Sequence, residues 1–228
     1  SETVAREFLV NQGIKVSDAD LDRVISEFGT HMLTIDLLAR MIRLEFGGDA
    51  AAVIDLPYPP FASDEVQAKR LARVLRHYMK QLALDERYVL QTISLLRRPV
   101  PLDLLTAFFN ESDRIPVERH RPQFETAQSR LPIAPARLQL IVQKLEACGL
   151  MTYYGAHGSV VCTNHVAIRD FFVQLSLSDN AGVHSRLQQS MFWLIRRNEQ
   201  KTYRFTPHQL DLIEEAMFHA AKGLTAHE

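Results

Sequence analysis

Residues 135–172 read PARLQLIVQKLEACGLMTYYGAHGSVVCTNHVAIRDFF, and this stretch decides the fold class. Pro135 suits the first turn of a helix, where its missing N–H goes unneeded. Leu138, Ile141, Val142 and Leu145 then recur at helical spacing, and Gly149 ends the run. Two short strand patterns follow around GAHG at 155–158, which predicts a hairpin. From His165 the helical period returns, with Phe171, Val173 and Leu175 expected in the core.

Working back from this stretch, DERYVLQTISLL at 85–96 reads as one helix. PLDLLTAFFN at 101–110 reads as a second, with Pro101 at its first position. Residues 110–132 are polar, charged and interrupted by proline, as in a loop or insertion. Three helices followed by a hairpin is the sequence order of a winged helix, so residues 85–176 are expected to form one, with 135–149 in the recognition position.

Towards the N-terminus, ETVAREFLVNQG places Val4, Phe8 and Leu9 on one face and stops at Gly13. SDADLDRVISEFG starts at Ser17 as N-cap, carries acids where the helix dipole favours them, and closes at Gly29. HMLTIDLLARMIRLEF repeats Leu33, Leu37, Leu38 and Met41 and stops at Gly47-Gly48. Residues 1–48 thus read as a small helical domain. Residues 49–84 read as a proline-rich connection and a linking helix from about 64 to 82. That helix is expected to turn Val66, Leu71, Val74, Leu75 and Tyr78 inward, with Lys69, Arg70, Arg73, Arg76 and Lys80 on a solvated basic face. Beyond the winged helix, 177–228 hold a helix pair near 183–197 and 207–222, which would suit the start of a helical-repeat array. Met191 and Trp193 are expected to pack between that pair and the winged helix. The fold class read from the sequence is therefore mainly α.

The 228 residues are 46% hydrophobic and 23% charged with a formal net charge of −1, values of an ordinary globular protein with no global drive toward nucleic acid or anionic membrane. Two cysteines, Cys148 and Cys162, are too few for a disulfide framework or a four-ligand zinc site and read as reduced core thiols. No apolar window reaches the length of about 18 residues that a membrane helix needs, and the expected location is cytoplasmic. None of the nine histidines has another at i, i+4, so no helical metal site is expected. No phosphate-cradling G-x-x-x-x-G-K-[ST], no G-x-G-x-x-G, no H-E-x-x-H and no G-x-S-x-G occurs, so no self-contained catalytic site is expected. Arg137 and Lys144 share the recognition helix with Glu146 and with few groups suited to base edges, which argues against DNA.

Three stretches, in order, resemble one family, the STAND-class (NB-ARC and NACHT-like) signal-transduction NTPases. FGTHMLTIDLLARMI at 28–42 is similar to the opening of the last helix of that family's small helical domain. Gly29, His31 and Leu33 fit, and Met32 stands where the family has proline. ERYVLQTISLLRRPVPLDLL at 86–105 is similar to the first two helices of its winged helix. TNHVAIRDFF at 163–172 resembles its Met-His-Asp motif: His165, Arg169, Asp170 and Phe172 fit, and Val166 replaces the aspartate. The resemblance covers about residues 1–176, with a weaker match in the tail. It implies a regulatory arm that closes over bound ADP and opens on exchange for ATP, allowing a homo-oligomer to form. His165 would meet the β-phosphate, with Gly29, His31 and Met32 near the nucleotide and Arg169 at an interdomain contact. The nucleotide would be held mainly by an upstream nucleotide-binding domain of the same protein, carrying the P-loop and Walker B strand. From the residues alone His165 is equally a helix-start histidine bonded to nearby backbone. Two other functions stay open: a winged-helix DNA-binding regulator, and a passive module whose C-terminal helices bind a protein ligand.

Overall fold

The computed structural model describes residues 1–14, 16–58, 65–110, 132–156, 159–163, 165–175, 180–198 and 207–224. The chain is mainly helical and separates into two compact units, Ser1–Ala83 with Leu145–Leu150, and Leu84–Lys144 with Met151–Glu228.

The first unit contains α1 (Glu2–Asn11), α2 (Asp18–Phe28), α3 (Met32–Glu45), a short 3-10 turn at Ala51–Val53, and α4 (Val66–Gln81). The Ser17 side chain accepts from the Asp20 amide and starts α2, as the capping pattern predicts. Leu21, Val24, Ile25 and Phe28 of α2 meet a core that α3 fills with Ile35, Leu37, Leu38, Met41 and Ile42. Two apolar positions expected inward lie outside instead: Val4 is half exposed and Val66 more so, while Ala5 and Leu9 bury the inner face of α1. Both exposed valines sit near a helix start, where periodicity assigns a face least sharply.

The basic face expected on α4 is not wholly solvated. Arg73 is only 3% exposed. Its guanidinium donates to the carbonyls of Leu56 and Ile54, pairs with Glu27 at 3.0 Å, and lies over the rings of Phe28 and Tyr58 at 4.6 and 4.4 Å. Arg70 donates to the carbonyls of Ser26 and Glu27 at 2.8 and 3.0 Å and so satisfies the C-terminal end of α2. Helical spacing marks where a side chain starts, whereas a long arginine can end in the core if it finds acceptors there.

The second unit contains α5 (Leu84–Ser94), β1 (Val100–Pro101), α6 (Leu102–Phe109), α7 (Pro135–Ala147) up to Lys144, β2 (Thr152–Ala156), β3 (Ser159–Thr163), α8 (Val166–Leu175), α9 (Asn180–Asn198) and α10 (Pro207–Leu224). Leu138, Ile141, Val142 and Leu145 of α7 are fully buried, as their spacing predicts. The hairpin forms, with Tyr153 opposite Cys162, and β1 adds a third strand to give the antiparallel order β1-β3-β2. Reading Pro101 as the first residue of a helix missed β1, because a two-residue strand has no period to detect. Pro101 lies on an edge strand, where its absent N–H costs nothing. α5 packs on α8, and α9 on α6 and α10. Among the described side chains of α8 the buried ones are Ile168 and Phe172, one residue round from the expected set: Phe171 and Val173 are only half-buried, and the Leu175 side chain lies outside what is described. The helix pair spans more than the sequence suggests, and Leu187 and Met191 are buried in it. The insertion at 111–131, the hairpin turn at 157–158 and the Trp193 side chain lie outside what is described.

Gly29 gives a test of the α2 terminus. It has φ +75°, and a Cβ there would lie 2.5 Å from Arg70 Nη1. Gly29→Ala should therefore destabilise the chain by about 2–3 kcal/mol, through left-handed strain plus displacement of Arg70. In an Arg70→Ala background the same substitution should cost only about 1 kcal/mol, measured from urea midpoints.

Candidate functional site

His165 begins α8 directly after the sheet. It is exposed, and its ring Nδ1 accepts a hydrogen bond from the Ala167 amide at 3.2 Å. The histidine thus does the work of an N-cap, satisfying an amide that the first turn leaves unpaired. Accepting at Nδ1 places the ring hydrogen on Nε2, which can donate to an oxyanion while the imidazole stays neutral. Arg169, one turn on, is half-buried and makes a long contact to Asp170 at 3.4 Å.

Gly29, His31 and Met32 belong to the first unit. Gly29 is the buried C-cap of α2. His31 is the N-cap residue of α3 but makes no side-chain cap bond, and both it and Met32 are exposed.

The cations of α7 are engaged within the second unit. Arg137 makes a forked pair with Asp85, at 2.8 and 3.1 Å, and reaches Glu86 at 3.3 Å. Lys144 meets Glu86 at 2.6 Å. Glu86 is 3% exposed, and these two cations face its carboxylate. The hydrogen bond from Arg137 holds the Asp85 carboxyl below its usual value. This pair stabilises the fold above the ordinary aspartate range and loses its effect as pH falls through the lowered folded value.

A second cluster escaped the sequence reading. His184 of α9 and His219 of α10 meet through their Nδ1 atoms, with both rings buried. His219 Nε2 faces Glu215 Oε1 at 3.4 Å, and Glu215 is 1% exposed. Glu215 accepts from the Arg97 backbone amide at 2.8 Å and from its guanidinium at 3.2 Å, and that guanidinium lies 3.9 Å from the Phe218 ring centre. Arg98 adds exposed pairs to Asp211 and Glu214. Burial works to raise Glu215, but the His219 contact and Arg97 outweigh it and hold the carboxyl low. Burial, then the charges of His219 and Lys222, push His184 down to about 4. The i, i+4 spacing of Glu215 and His219 was visible in the sequence, but His184 is 35 residues from His219 and only helix packing joins them.

Among the described residues no group of three or more potential ligands could hold a metal ion, and no helix is long and apolar enough to cross a membrane. The chain matches no family model and no curated protein.

Removing one partner of a buried carboxylate should be costly. Lys144→Met is expected to lower stability by about 1–3 kcal/mol at neutral pH. Adding Glu86→Gln to that variant should recover part of the loss, measured by chemical denaturation.

Proposed function

We propose that this chain is the regulatory arm of a STAND-class signalling ATPase, in which a small helical domain and a winged helix close over ADP. The observation that carries this reading is His165, exposed at the entry of α8, immediately after β3, in a tautomer that leaves Nε2–H as a donor. The order of three helices, sheet and helix in the second unit supports it, as does the resemblance around 28–42 and 86–105. The partners it requires are ADP or ATP and the nucleotide-binding domain of the same protein. Exchange for ATP would favour an open form and a homo-oligomer, since a ligand shifts such an equilibrium by its difference in affinity for the two forms. His31 and Met32, exposed at the start of α3, are the complementary candidates for the nucleotide's base.

A DNA-binding reading is disfavoured by the pairing of Arg137 and Lys144 with Asp85 and Glu86, because those cations would have to leave a buried carboxylate to reach phosphate. A protein-ligand role for the terminal helices has one observation in its favour: Leu210 and Met217, seven residues apart on α10, are 54% and 66% exposed.

The test compares two substitutions in the protein carrying its nucleotide-binding domain. His165→Asp keeps a capping acceptor but sets a negative charge at the phosphate, and His165→Ala removes both functions. Each should weaken ADP retention by about tenfold or more and raise resting activity, the loss expected for one charge-assisted hydrogen bond. Only the alanine variant should also lose helix-cap stability, about 1 kcal/mol. Unchanged ADP affinity and unchanged resting activity in both variants would sink the proposal. The isolated chain should give no gel shift with duplex DNA even at low salt.

A further inference from the structure

We propose that His184, His219 and Glu215 form a proton-gated lock between α9 and α10, closed while the two imidazoles share at most one extra proton and opened by a second. Two ring nitrogens in contact can hold one hydrogen between them and no more.

With no extra proton, His184 donates from Nδ1 to His219 Nδ1, and His219 keeps its hydrogen on Nε2, facing Glu215. No lone pair then faces the carboxylate. With one extra proton, His219 becomes an imidazolium between the Glu215 carboxylate and the His184 lone pair, again without conflict. A second extra proton sets N–H against N–H and charge against charge in a buried site. The rings must then part, and the helices that carry them must part locally.

The surroundings fit a single charge. From α10, Glu215, His219 and Lys222 act on His184, and of these only Glu215 favours its protonation. Glu215 is itself claimed by Arg97 of the segment after α5. On α9, Arg186 is turned to the Tyr88 hydroxyl and the Phe108 carbonyl. α6, which also packs on α9, contributes only the exposed Asp103. Burial and these neighbours hold His184 near 4, against an ordinary value of 6.5. Opening lets it take up its proton at the ordinary value. The closed state is therefore fully favoured above about pH 6.5 and loses ground as pH falls toward 4.

The test uses the whole chain labelled with 15N-histidine, with amide exchange followed from pH 7 to pH 4 and corrected for the chemical exchange rate. One of the two rings should still be neutral near pH 5. Protection in α9 and α10 should then fall by about tenfold or more relative to α5 as the second ring charges. His184→Gln keeps a hydrogen-bonding partner for His219 but cannot become cationic, so it should abolish this excess loss. The proposal is overturned if both rings charge at the ordinary histidine value with α9 and α10 still protected. It is equally overturned if the glutamine variant shows the same excess loss. Should that variant fail to fold at neutral pH, the ring titrations of the unmodified chain decide the matter alone.

Discussion

Much of the second unit's behaviour depends on the buried carboxylate of Glu86. An ionised carboxylate removed from water must be matched, and Lys144 and Arg137 match it from α7. The contact fastens α7 to the start of α5. It also spends the only two cations on α7. Both charges of α7 are thereby turned to internal use. His165, just after β3, stays exposed.

The same economy recurs across the chain. Arg70 and Arg73 serve carbonyls at helix and loop ends, Arg97 serves Glu215, and Arg186 serves Tyr88 and Phe108. The guanidinium suits these tasks because it offers a planar fork of donors that can also lie against an aromatic ring. These four arginines are thus committed to the chain's own architecture.

Helical spacing was enough to place the long elements, because a buried face repeats its apolar residues over several turns. α7 is the clearest example, and α2 adds an N-cap that the Ser17 side chain fulfils. It was weaker at the edges. Val4 and Val66 lie outside the core although their type suggests burial, and α8 buries Ile168 and Phe172 rather than Phe171 and Val173. Rotating a short helix by one residue costs little in pattern but decides which side chain meets the neighbour. β1 carried no readable signal, since its two residues become a strand only when β3 lies beside them.

The candidate site divides along the same line. His165 at a helix mouth was legible from the chain alone, because capping is local and depends on a few consecutive residues. The sequence by itself also determined the mainly helical class and the core of α7. The partnership of His184 with His219, the burial of Glu215 and the neutralisation of Arg137 and Lys144 were decided by tertiary structure. Each joins side chains far apart in the chain, and no local period records which distant group will meet a charge once water has been excluded.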